Sequence, residues 1–272
     1  MRDFLDYLFK EWFRQVGEAL LLAFLVTTFL FTTVGVVGNS MNPADGGALP
    51  RGAQSLENGE RVFVPKYENW LVRFGFMQWR RGEVAIVKPP EGTPNAVARF
   101  PFIGFEFRAF FIKRIVAVPG DEVRVVEGKV TVNGQVINEL HIDQFNRTYP
   151  VNYPGVCYQN GQLTKLTTQQ GSFAISEIPP YLERTVQMLV PPTADEQARS
   201  QSGEYCTTGA LKLKPDYYFV MGDNRTIGGS EDSRTFGPIP TASIAGRANA
   251  VWWPLNKIRG LPLPDGFKAS QP

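Results

Sequence analysis

Phe110-Phe111-Ile112-Lys113-Arg114-Ile115-Val116-Ala117-Val118 sets two adjacent cations inside an apolar run of the kind that forms a buried strand. Side chains alternate between the two faces of a strand. Lys113 therefore shares a face with Phe111, Ile115 and Ala117, and Arg114 shares the other with Ile112, Val116 and Val118. Both faces are apolar, so at least one of the two charges is partly desolvated. Lysine answers desolvation by losing its proton, whereas arginine stays charged. The alternative is a lysine whose stem covers the sheet edge while its ammonium reaches water.

Outward from this stretch, residues 61–66, 83–88 and 122–126 are short and β-like, and residues 129–137 fold about Asn133-Gly134, a hairpin signal because both residues tolerate positive φ. The pattern resumes at residues 216–221 and ends near Trp252-Trp253-Pro254. No helix-length amphipathic pattern alternates with these strands. The chain is thus expected to be mainly β, an antiparallel β-sheet core with one N-terminal helix appended. Residues 44–60 read as a loop. Residues 67–81 carry Trp70, Leu71, Phe74, Met77 and Trp79 near helical spacing beside Arg73, Arg80 and Arg81, which suits a membrane interface and a core equally. From 138 to 213 the composition shifts to Gln, Thr, Asn and Pro, which predicts an inserted subdomain dividing the core into 39–137 and 214–272. The tail after Arg259 is expected to be peripheral.

Residues 19–38 contain no charge, and as a helix they reach roughly 30 Å, enough to span a bilayer. A cleaved signal peptide would have a shorter apolar core and a small-residue cleavage site, and neither is evident. An uncleaved transmembrane anchor is the reading, with a buried core helix as the alternative. Arg2, Lys10 and Arg14 precede the span and Arg51 follows it, which predicts a cytoplasmic segment 1–18 and a body outside the cytoplasm, held single-pass in the inner (cytoplasmic) membrane.

Immediately after the span comes Gly38-Asn39-Ser40-Met41-Asn42-Pro43. A serine hydroxyl is a poor nucleophile without a base to take its proton. The single histidine, His141, lies in the polar stretch His141-Ile142-Asp143-Gln144-Phe145-Asn146-Arg147, with no triad signature around it. Lys113 is the better base. The chain has 272 residues, 43% of them hydrophobic, and a formal charge of +2 with both signs interspersed, so it can build a sizeable core and shows no basic run of a nucleic-acid binder. Cys157 and Cys206 match no metal-ligand spacing, and a body outside the cytoplasm makes a disulfide their expected use, with two unrelated buried thiols as the alternative.

The second polar constellation runs from Gly222 to Arg234. Gly222-Asp223-Asn224 forms a tight turn after a strand, and Ser230-Glu231-Asp232-Ser233-Arg234 brings hydroxyl, carboxylate and guanidinium groups together. A solvated surface loop would have the same composition. With Ser40 and Lys113, however, these residues supply a hydroxyl to orient the lysine and an ion pair to fix the loop.

Ser40-Met41-Asn42-Pro43, the run from Lys113 to Asp121, the run from Gly222 to Arg234, and Gly246-Arg247-Ala248 with Trp253-Pro254 occur in the order found in type I signal peptidases, the membrane-bound Ser-Lys proteases that this chain resembles. The resemblance covers the anchor and β core but not 138–213. It implies Ser40 as nucleophile, Lys113 as general base, Ser230 positioning the lysine, Asp232 and Arg234 buttressing the loop, and Asp223 with Arg114 as a further ion pair. Signal-peptide-bearing preproteins with small residues at the first and third positions before the cut are the implied substrates. Membrane lipid is the surrounding partner, and no cofactor or metal is required. Two departures stand out: Gly38 replaces a serine that some members use to bind the oxyanion, and the run between Arg225 and Ser230 is two residues longer. The rival readings are a related Ser-Lys protease with a dedicated or self substrate, and a membrane-anchored β module that binds without catalysis.

Overall fold

The strand Phe111–Ala117 is central to a five-stranded antiparallel sheet whose order is Ile239–Pro240, Tyr217–Met221, Phe111–Ala117, Val84–Val87 and Ile244–Arg247. This computed structural model describes residues 2–44, 46–49, 53–99, 104 and 106–271. Burial along Phe111–Ala117 is nearly complete on both faces, as its unbroken apolar composition requires. On one face Val84, Ile86 and Ile112 pack against Val62, Val64 and Val251 of a second antiparallel sheet, ordered Phe31–Gly35, Arg61–Pro65, Ala250–Trp253 and Arg259–Gly260. On the other, Ala85, Val87 and Ile115 meet Trp79, Tyr218 and Phe236. The hairpin turns at Asn133 and Gly134, with φ of +50° and +79°, between Lys129–Val132 and Gln135–Val136. The body is mainly antiparallel β with one N-terminal apolar helix, as expected.

The apolar run 19–38 is not one helix. The α-helix covers Arg2–Leu25, a π-helical turn continues through Val26–Leu30, and Phe31–Gly35 is a strand paired with Arg61–Pro65. Thr32, Thr33 and Val34 are β-branched and suit the sheet, so helix-length hydrophobicity hides a change of backbone state. The stretch long and apolar enough to cross a membrane is Phe9–Leu30, 22 residues of mean hydropathy 1.4. None of it is buried in the protein, and Leu20, Leu21, Leu22 and Phe24 are exposed, which excludes the buried core helix. Arg51 lies outside the described residues, as do Asp45, Pro50 and Gly52 of the expected loop 44–60.

Residues 67–81 divide between the core and the exposed surface. The helix is only Lys66–Arg73; Val72 and Trp79 enter the core, while Trp70, Leu71, Phe74 and Phe76 are exposed. Trp70 stacks on Phe29 at the end of the apolar helix, with ring centroids 6.4 Å apart.

Parts of the stretch 138–213 pack with the core on either side of it. Tyr153, Met188, Leu211 and Leu213 belong to the same apolar cluster as Val123, Val125 and Phe219. The self-contained portion is the antiparallel sheet Gly171–Ala174, Gln162–Thr168, Gly155–Gln159 and Tyr205–Thr208, with its own cluster of Val156, Tyr158, Leu166 and Leu182. The tail is not peripheral either. Phe267 is fully buried, and a Cβ on Gly82 would come within 2.8 Å of it, so a glycine is needed where the tail lands.

Cys157 and Cys206 are direct cross-strand partners in this smaller sheet, and their sulfurs are bonded. Alkylation without reductant should therefore leave both cysteines unmodified by mass spectrometry, and modification of both would refute the bridge. The Cys157→Ser/Cys206→Ser variant should lose about 2–4 kcal/mol of stability, read as a lower unfolding midpoint.

Candidate active site

Ser40 sits in a turn closed by Asn42 N–H donating to the Asn39 carbonyl at 2.9 Å, directly after the strand Phe31–Gly35. Two further backbone bonds fix it: Leu56 N–H donates to the Met41 carbonyl at 3.0 Å, and Asn224 N–H donates to the Ser40 carbonyl at 3.1 Å. Lys113 approaches from the central strand. Its Nζ lies 2.8 Å from Ser40 Oγ, and the residue is 3% exposed. It also sits over the Phe111 ring, 5.2 Å from the centroid. Burial is the largest influence on the amine and lowers its pKa from the ordinary 10.5 to about 8. Asp232, Glu231 and Asp223 oppose this shift, while Arg234 reinforces it. Arg234 is thus a like charge that helps lower the Lys113 pKa.

Arg114 is neutralised by Asp223 through two bonds, Nε to Oδ1 at 2.8 Å and Nη2 to Oδ2 at 2.6 Å, and its other donors reach the Gly82 and Gln54 carbonyls. Ser55 Oγ donates to Asp223 Oδ2 at 2.7 Å. Burial alone would raise the Asp223 pKa; Arg114 outweighs it and holds the carboxyl well below the usual range. Asp232 and Arg234 form the second pair, with Nε to Oδ1 at 2.9 Å and Nη2 to Oδ2 at 2.7 Å. Asp232 also accepts from Gly222 N–H at 2.9 Å, which ties the loop to the end of the strand Tyr217–Met221. A Cβ on Gly222 would lie 2.2 Å from Ser230 Oγ and 2.4 Å from the Ser40 carbonyl oxygen, so only glycine lets these loops meet.

The signal peptidase family, peptidase S26, matches residues 9–253. The chain belongs to this family. It is 25% identical over 250 residues to signal peptidase I P of Bacillus subtilis subsp. natto, covering 92% of this chain and 91% of the relative. It is 26% identical to signal peptidase I of Bacillus licheniformis over the same shares. A solved signal peptidase I of Enterococcus faecalis V583 has 18% identity and covers 63% of this chain and 97% of its own, with a TM-score of 0.29. Membership of peptidase S26 makes the chain a serine endopeptidase, and its N-terminal apolar helix fits membrane anchoring.

Ser230 is buried beside Gly222, yet among the described residues its Oγ has no hydrogen-bond partner and is not bonded to Lys113, in contrast to the role that the resemblance implies. The longer run before it is taken up by a turn in which Gly229 N–H donates to the Thr226 carbonyl at 3.0 Å and Thr226 Oγ1 donates to Asn224 Oδ1 at 2.7 Å. Gly38 has φ of +82°, a backbone state that a serine adopts only with strain. Several supporting residues carried no recognisable signal in the sequence. Arg225 forms a bidentate pair with Glu139 and donates from Nε to the Gly222 carbonyl at 2.8 Å. Asn146 accepts from Arg225 N–H at 2.6 Å and donates to the Pro43 carbonyl. The His141 side chain is buried 3.4 Å from Asp223 Oδ1, and burial lowers its pKa. Among the described residues, the one grouping with metal-ligand spacing is Cys157, Glu204 and Cys206, whose sulfurs are committed to the bridge.

The lowered Lys113 pKa has a definite sign in stability. Between about 8 and 10.5 the unfolded chain holds a proton that the folded chain has lost, so this group makes stability rise with pH across that window. The penalty is absent above 10.5 and complete below about 8, where it reaches about 3 kcal/mol. Denaturant titrations should show this rise in the intact protein and lose it in Lys113→Met. Asp223→Asn should destabilise by about 3–5 kcal/mol because it leaves Arg114 buried and unpaired, and an unchanged midpoint would contradict that pairing.

Proposed function

We infer that this chain removes N-terminal signal peptides from exported preproteins, with Ser40 as nucleophile and Lys113 as general base. The 2.8 Å contact between Lys113 Nζ and Ser40 Oγ in a water-poor site carries the reading. Neutral Lys113 takes the hydroxyl proton as Ser40 Oγ bonds to the scissile carbonyl carbon; the ammonium then returns that proton to the leaving amine as the peptide bond breaks. Water activated by the same amine attacks the acyl-enzyme and restores the free serine. Ser40 N–H is an available donor for the oxyanion. The Ser230 hydroxyl, buried beside the site, is the group available to orient the amine.

The strand Phe31–Gly35 lies at the edge of its sheet and leads to Ser40. An extended substrate segment can add to such an edge with its main chain, while alternate side chains are selected for size. Ser40 lies ten residues beyond Leu30, the end of the membrane-length stretch, which keeps the reacting serine near the membrane face. We place the body on the extracytoplasmic side of a single span, in line with the cationic N-terminal segment.

Incubation of detergent-solubilised protein with an exported precursor carrying alanine at the first and third positions before the cut should release the mature chain. Ser40→Ala and Lys113→Ala should each abolish this, and the double variant should be no worse, because both residues act in one step. The initial rate should rise with pH through a group near 8. Substantial cleavage by either single variant, or a rising limb near the free-lysine value of about 10.4, would sink the assignment.

A further inference from the structure

The self-contained sheet Gly155–Thr208 has no residue in the Ser40–Lys113 contact, yet one of its turns reaches the loop beside it. The strands Gln162–Thr168 and Gly171–Ala174 pair with Thr168 opposite Gly171, which leaves Gln169 and Gln170 as a two-residue tip. Gln170 N–H donates to Thr168 Oγ1 at 3.1 Å and shapes the turn. Gln169 N–H donates to the Arg234 carbonyl at 3.2 Å. With its amide oriented so that both ends are paired, Gln169 also donates to the Ser230 carbonyl at 3.2 Å and accepts from Arg234 Nη1 at 2.9 Å. Gln170 Nε2 holds the Glu231 carboxylate at 3.2 and 3.1 Å, and Asn95 Nδ2 reaches the same carboxylate at 3.2 Å.

We propose that this tip is a latch that sets the Ser230–Arg234 loop, with Gln169 and Gln170 as positioning residues for the Ser40–Lys113 dyad. Gln169 grips the main chain at both ends of the loop, at the Ser230 and Arg234 carbonyls. Gln170 restrains the acidic side chain between them. Two functions follow from the geometry. The first is placement: the loop carries Ser230 and Asp232, and Asp232 holds Gly222, where an added Cβ would lie 2.4 Å from the Ser40 carbonyl oxygen. The second is charge: Glu231, with Asp232, Asp223 and Arg234, is among the charged groups acting on Lys113, and it favours the ammonium form. Holding Glu231 on two amides keeps a mobile carboxylate from closing on the amine. The bridge between Cys157 and Cys206 and the cluster of Val156, Tyr158, Leu166 and Leu182 give the tip a rigid base.

The inference rests on the Ser40–Lys113 reading, and the test separates the two. Rates against substrate concentration and pH are measured on the full chain for Gln170→Ala, the Gln169→Ala/Gln170→Ala double variant, and Gln170→Ala with Glu231→Gln. Ser40→Ala and Lys113→Ala run alongside. The double variant should lose at least about tenfold in kcat with KM within about twofold, inside the ~10²-fold that a 1 Å misplacement can cost. In Gln170→Ala the rising limb of the pH profile should move to higher pH, and adding Glu231→Gln should move it back. A merely structural turn would not produce that reversal. Gln170 is exposed, so its single variant stays informative if the double variant fails to fold. A folded variant with the original kcat and an unmoved limb overturns the latch. Activity in Ser40→Ala or Lys113→Ala overturns the dyad reading, whatever the glutamine variants do.

Discussion

Everything around Ser40 follows from keeping water off one amine. A lysine whose pKa has fallen to about 8 stores about 3 kcal/mol against its own protonation, and that difference exists only while the site stays closed. Closure brings other charges into a dry environment, where an unpaired one would cost more than the lysine does. The arginines there are accordingly matched, Arg114 with Asp223, Arg234 with Asp232 and Arg225 with Glu139. Buried pairs of this kind add little net stability over well-packed apolar residues. Their forked geometry instead fixes direction, and each ties down a loop that touches Ser40, Gly222 or Pro43.

Much of this was legible because it depends on local pattern. The apolar run in residues 110–118 located the central strand and the desolvated lysine, and Asn133-Gly134 located a hairpin. Gly222-Asp223-Asn224 marked the turn that meets Ser40. The boundary of the apolar helix was not legible. Thr32, Thr33 and Val34 are compatible with both a helix and a strand, and pairing with Arg61–Pro65 decides between them. The tail misled for a related reason, since proline and glycine signal irregular backbone and say nothing about where Phe267 packs.

The residues missed at the site share one property. Glu139, Asn146, Gln169 and Gln170 lie in ordinary polar surroundings in sequence, and their roles come from partners far along the chain. A polar-rich stretch reads as solvent-facing when no partner is visible, which is why 138–213 looked like a detachable body. In the fold its first segment buttresses the turn that carries Ser40, and its hairpin tip meets the Ser230 loop. Four strands between Gly155 and Thr208 form a sheet of their own.

The contacts that close the site join residues 86, 109 and 168 positions apart, through Glu139–Arg225, Arg114–Asp223 and Ser55–Asp223. Such long-range contacts carry the loop-closure entropy that makes them late events in folding. A nascent or partly folded chain holds Ser40 and Lys113 but not the Asp223 and Asp232 loops that enclose them, and water keeps its lysine protonated. The environment that lowers the Lys113 pKa is therefore a property of the finished molecule and not of any one segment of the chain.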